Sequence, residues 1–261
     1  LFLTQAVGQV VGEIVKPESE NQGGEMKQPL FHTEAFNLMG IQPVYSLERL
    51  KLIAEKEREM NRRFPPSLRE LYAVEGVEEW FGSRNADKLV PLQRLELETR
   101  EYWEHELGLR FLNIPSNMQA SEGIYFFIEC QGCWSWWILL NGAEDPPVIV
   151  ESLFDEAQIL ACDKLSDFIL ACAWDLSIMD SPSFQTGRYE SEQAFLRLLR
   201  NRCVEKPTTR LASTVHRYRF RYKDCRLFLF EETCQIFIAA ENEESKNEWM
   251  TMVKPFVIWD T

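Results

Sequence analysis

Apolar positions along this chain repeat at two intervals, and the change from one to the other falls near residue 110. Before that point the spacing is helical. Leu47, Leu50, Ile53 and Ala54 share one face, Lys51, Glu55, Lys56, Glu57 and Arg58 point away from it, and Ser46 stands where an N-cap belongs. Arg63-Phe64-Pro65-Pro66 ends this helix, because proline lacks a backbone N–H and biases its predecessor away from helix. A second helix restarts at Pro66-Ser67, with Leu68, Leu71 and Tyr72 as its buried stripe and Gly76 as its stop. Residues 89–92 form a short extended piece, and the Glu/apolar run 95–103 is read as helix. Upstream, residues 1–43 hold a weakly amphipathic run and a Glu-, Gly- and Asn-containing loop at 17–29, expected to be a flexible link.

After residue 110 the pattern becomes strand-like. Residues 124–128 and 134–140 flank Gln131-Gly132 and predict an antiparallel hairpin, with 148–150 as a third strand beside it. Within the hairpin, Trp134 and Trp136 share one face and Trp137 takes the other. One face is core; the other is covered by a helix or left for a partner. Residues 163–177 predict a helix with Leu165, Phe168, Ile169, Cys172, Ala173 and Leu176 on one side. A break at 182–187 marks a boundary near residue 181. Beyond it come a helix at 191–199, strands at 218–222, 226–230 and 235–240, and a closing helix at 243–253. In the first of these strands Tyr218, Phe220 and Tyr222 are expected inside and Arg217, Arg219 and Arg221 outside.

Composition narrows the function. With 261 residues and 45% hydrophobic content, the chain can bury a substantial core. The formal charge of −13 disfavours nucleic acid and anionic membranes and favours a basic protein partner, although solubility alone also accounts for it. No apolar run approaches the ~20 residues of a membrane helix. Seven cysteines, an odd number without secreted-domain spacing, and a first segment without a basic n-region point to the cytoplasm.

The chemistry-bearing candidates weaken on inspection. Cys130-Gln131-Gly132-Cys133 runs into a strand rather than a helix N-terminus and has no second ligand pair, so packing is its expected role. His32, His105 and His216 are dispersed, and no Gly-x-Ser-x-Gly is present. The expectation is therefore no catalytic residue, no metal and no cofactor. Glu144-Asp145, in a turn before Pro146-Pro147, serves either the turn itself or an acidic contact.

The order of these pieces resembles the SUKH superfamily, which includes the Smi/Knr-like cell-wall regulators. The resemblance runs through Phe64-Pro65-Pro66-Ser67-Leu68-Arg69-Glu70-Leu71-Tyr72, Leu89-Val90-Pro91-Leu92, Glu129-Cys130-Gln131-Gly132 leading to Trp136, Asp145-Pro146-Pro147-Val148, and Leu165-Ser166-Asp167-Phe168-Ile169. It covers about residues 44–178. Cys133 departs from the small or polar residue often found there, and the stretch between Trp80 and Leu112 is longer.

The resemblance implies an α+β fold: a mixed, mainly antiparallel sheet with helices packed against it, plus a small C-terminal α/β extension. The expected organisation is a partly flexible extension at 1–43, a SUKH-like domain at 44–180 and a helix–strand–helix extension at 181–261. Pro66, Leu68, Gln131, Gly132, Trp136, Asp145, Pro146 and Pro147 are the residues that mark the fold. The resemblance further implies a protein-binding module similar to immunity proteins that neutralise toxins, nucleases among them. Trp134, Trp137, Glu144 and Asp145 are the expected partner contacts. A regulatory scaffold with another partner, or a metal- or ligand-binding enzyme, is the alternative.

Overall fold

The computed structural model describes residues 29–84, 87–112, 114–152, 157–190 and 192–260. The opening run, and the expected flexible link except Pro29, lie outside them. Four short helices come first: α1 (Thr33–Met39), α2 (Leu47–Glu59), α3 (Pro66–Ala73) and α4 (Val77–Gly82). Strands β1 (Lys88–Leu89), β2 (Glu96–Thr99), β3 (Arg110–Leu112), β4 (Glu122–Ile128), β5 (Trp134–Leu139), β6 (Val148–Ser152) and β7 (Ala157–Cys162) follow, and then the long helix α5 (Leu165–Met179). The C-terminal part contains β8 (Gln185–Tyr189), α6 (Glu192–Arg202), β9 (Val204–Ala212), β10 (Val215–Tyr222), β11 (Cys225–Phe230), β12 (Gln235–Ala240), α7 (Glu243–Val253) and β13 (Val257–Trp259).

The class is α+β, as expected. The first sheet runs β1-β4-β5-β6-β7-β3 with β2 also on β4, and its one parallel pair among the described residues is β3 with β7. The C-terminal extension is larger than three strands: β13-β8-β12-β11-β10-β9 form a second, six-stranded antiparallel sheet. Helix α5 lies between the two sheets. Its Leu165, Phe168 and Ile169 join the first core, and its Trp174 and Ile178 pack with Phe228 and Ala239 of the second sheet. The far face of the second sheet carries Phe220, Leu227, Leu229, Ile236 and Ile238 against Phe195 of α6 and Trp249 of α7.

Local details follow the expected chemistry in several places. The Ser46 hydroxyl accepts from the Arg49 amide at the start of α2. Gly132 holds φ +76 in the β4–β5 turn, a left-handed conformation that glycine adopts without a Cβ penalty. Gly123 is required for a different reason: an added Cβ would sit 2.6 Å from the Trp103 ring, which lies directly on β4.

Two local expectations are corrected. Residues 95–103 are helical only from Arg100: Glu96–Thr99 pairs with β4, and the helical turn that follows is π-helical over Tyr102–Glu106. The Glu/apolar alternation there has the strand period of two, and the neighbouring β4 edge supplies the hydrogen bonds that decide the outcome. Lys56 does not point outward; it is buried, and its ammonium donates to Gln93 O and Glu59. Residues 29–40 are built into the body. The buried Glu70 carboxylate accepts the Leu30, Phe31 and His32 amides at 2.7–3.0 Å, and α1 then buries Ala35, Phe36 and Met39.

Candidate functional site

Strand β10 has the alternation read from sequence, but its arginine face looks inward. Phe220 enters the second core, while Arg219, 2% exposed, points at α5. There its Nε and Nη2 donate to the two Asp175 carboxylate oxygens at 2.7 and 2.6 Å, and Nη1 donates to Pro207 O, Thr209 Oγ1 and Arg217 O. Every guanidinium nitrogen is thus engaged. The expectation that the arginines lie outside holds for Arg221, at the strand end, and fails for Arg219 and Arg217.

Arg217, two residues along, stands beside a cleft of about 300 Å³ between α5, the first sheet and the second sheet. Its guanidinium carbon lies 4.1 Å from the Phe230 ring centroid. Its Nε is buried and makes no hydrogen bond among the described residues. Burial pushes the Arg217 pKa down, against the opposing charges of Asp175 and Asp87. Asp87, on the other wall, is pushed up, first by burial, with Arg217 pulling the other way. Phe228 and Phe237, stacked at 4.3 Å, line the apolar side, and the half-exposed Met179 stands at the mouth.

A second candidate surface is the face of the first sheet turned away from α5. Trp137 lies here, packed against Trp103 at 5.3 Å and Tyr125 at 5.2 Å. Its indole N–H donates to Glu151 and to Ser135. Glu96 is cross-strand to Tyr125, and Glu98 follows two residues on, on the same face. Burial raises the Glu98, Glu151 and Tyr125 pKa values; the Glu96 carboxylate adds to the rise at Glu98, and Glu96 and Glu151 add to it at Tyr125. Among the described residues, Glu96, Glu98 and Glu151 form no salt bridge. At the rim, Glu101, Glu106, Tyr102 and Leu107 are exposed.

The four expected partner contacts do not form one patch. Trp134 is partly buried at the start of β5 and packs on the first core. Trp137 is buried, 7% exposed, so its ring supports the outer face rather than covering a partner. Glu144 and Asp145 follow the opposite end of β5, roughly 17 Å of strand from Trp134. Asp145 serves the fold: its carboxylate accepts the Ser166 amide and hydroxyl at the start of α5, while Pro146 O accepts the Leu165 amide. Glu144 is exposed at the rim of an open groove with Arg62, Arg63 and Arg69, and its backbone carbonyl accepts the Ser67 amide of α3.

Leu68 and Trp136 are in the first core, Pro146 and Pro147 are buried, Pro66 opens α3, and Gln131-Gly132 forms the β4–β5 turn. The cysteine pair is part of this turn. Cys130 Sγ donates to Glu129, whose other oxygen accepts the Gln131 and Cys133 amides. That hydrogen bond first, and then burial and the Glu129 charge, raise the Cys130 thiol pKa, the opposite of nucleophile activation. Asp87, Glu129 and Cys130 have ligand atoms within 4.8 Å of one another, but the Glu129 oxygens are already committed to the turn. The three histidines stay apart: His32 is buried against Ser67 O, His105 is exposed, and His216 pairs with Glu231.

Sequence reasoning missed the Asp175–Arg219 pair, Arg217, Asp87 and the acidic face around Glu151. Asp175 carried a signal, as an acidic residue inside the apolar run Ala171 to Ile178. Among the described residues, no helix is long and apolar enough to cross a membrane. Comparison with models of known protein families, with curated proteins and with solved structures found no match to this chain.

Proposed function

We propose that this chain is a non-enzymatic protein-binding module of the immunity type, acting in the cytoplasm by covering a basic toxin domain. The observation that carries the reading is the outer face of the first sheet. Its partly exposed Tyr125, packed on the buried Trp137, is edged by Glu96, Glu98 and Glu151, with no cation paired to them among the described residues. Burial first, and then the charges of Glu96 and Glu151, push the Tyr125 pKa up. Uncompensated carboxylates beside an aromatic surface favour a basic partner, through faster encounter and through charge-assisted hydrogen bonds once water is excluded. The net charge of −13 acts in the same direction at long range.

The test is co-expression with any toxin domain encoded beside this gene. A stable complex and protection of the host are expected, both lost when Glu96→Lys and Glu98→Lys are combined. Complex formation that survives this double reversal would place the contact elsewhere, and neither complex nor protection with the native chain would overturn the reading.

A further inference from the structure

We infer that the cleft between α5 and the second sheet is a binding site for a small apolar monocarboxylate, its head paired with the Arg217 guanidinium and its body against Phe228, Phe230 and Phe237. The inference does not rest on the protein-partner reading, because the two surfaces share none of their determining residues.

The two neighbouring arginines provide an internal comparison. Arg219 is closed: each nitrogen donates to Asp175 or to Thr209, Pro207 and Arg217 oxygens. Arg217 lines the cleft, and its Nε, already removed from water, meets no hydrogen-bond acceptor among the described residues. A buried, unmatched guanidinium donor is costly, and a carboxylate brought to it would supply charge-assisted hydrogen bonds of fork geometry. Stacking on Phe230 fixes the guanidinium plane, so little side-chain freedom is left to lose.

Shape and charge narrow the ligand. About 300 Å³ is the lower end of small-molecule sites, room for a two-ring body rather than a nucleotide. The stacked Phe228–Phe237 pair and Phe230 provide an apolar wall. Asp175 and Asp87 also line the cleft, and Asp175 is fully occupied by Arg219. Arg210 lines the cleft as well, so with Arg219 matched to Asp175 the two cations Arg217 and Arg210 stand against Asp87 and leave one net positive charge, which suits a monoanion better than a phosphate dianion.

The test is calorimetric titration of the full chain with 1-naphthoate, 1-naphthamide and 1-naphthyl phosphate. Naphthoate is expected to bind one-to-one and about tenfold or more tighter than the neutral amide. Arg217→Leu should erase that difference while leaving amide binding within about threefold, and Arg217→Lys should restore part of it. Near-UV circular dichroism checks that the variants keep native packing. Met179→Trp, at the exposed mouth, keeps Arg217 and should weaken both ligands by narrowing access. No naphthoate binding by the native chain, equal binding of naphthoate and naphthamide, or tighter binding of the phosphate overturns the inference.

Discussion

Breaking the Asp175–Arg219 pair should loosen the junction between the sheets more than any comparable surface change. Side-chain exposures of 2% for Arg219 and 8% for Asp175 mean that both charges have lost most of their water. Removing one partner leaves the other buried and uncompensated, which costs about 3–5 kcal/mol, whereas removing both leaves no charge behind. We therefore expect Asp175→Leu and Arg219→Met each to cost about 3–5 kcal/mol. The double variant does not return to the native value, because Thr209 Oγ1 and the Pro207 and Arg217 carbonyls lose their common donor. Leaving such acceptors unmatched costs about 1–3 kcal/mol where they stay dry. The double variant should nonetheless fall at least about 2 kcal/mol short of the summed single losses. Urea unfolding followed by far-UV circular dichroism and by tryptophan fluorescence measures all four proteins. Because α5 belongs to both cores, the two signals should change together. Additivity of the single changes to within about 0.5 kcal/mol would refute the assignment of the pair as an energetic unit.

Gly123→Ala forces a methyl into the Trp103 ring and toward the Ile138 carbonyl, so a loss of about 1–3 kcal/mol is expected in thermal melting, partly recovered by Trp103→Leu. Asp145→Ala removes the acceptor for the Ser166 amide and hydroxyl, costing about 1 kcal/mol and speeding hydrogen exchange at the first turn of α5; unchanged exchange there would count against its capping role. The Glu151 pKa is raised above its ordinary 4.5, chiefly by burial. The folded state therefore holds that proton more tightly than the unfolded chain, and the contribution to stability is complete below about 4.5 and lost as pH rises through the folded value. Glu151→Gln should flatten the decline in stability just above pH 4.5, and an unchanged slope in pH-dependent urea midpoints would exclude Glu151 as its source.

Much of the architecture was legible because local signals agreed with the final packing. Ser46 caps α2, the proline pair separates α2 from α3, the Gln131-Gly132 turn joins β4 to β5, and the closing helix spans Glu243–Val253. The second sheet's orientation was not legible from β10 alone. A period of two assigns residues to two faces without saying which face is core. Exposed arginine is the commoner outcome, so the period alone places the Arg217–Arg219–Arg221 face in solvent.

The missing information lay in α5. Reading Leu165, Phe168, Ile169, Cys172, Ala173 and Leu176 as one buried stripe leaves Ala171, Trp174 and Ile178 on the other side, all of them also buried. A helix apolar around its circumference needs a covering layer on each side. The first sheet supplies one layer, so the strands after residue 181 must supply the other, and one of their faces must point at α5. Asp175 then selects which face. A carboxylate within an apolar helix is stable only with a matched cation, and β10 alone among the C-terminal strands presents arginines at every second position. The Arg219 register follows from the need to meet Asp175, and that same register carries Arg217, two residues away, to the cleft with its Nε unmatched. The helix and the strand each look irregular when read separately; together they require the inward-facing arginines that neither reveals alone.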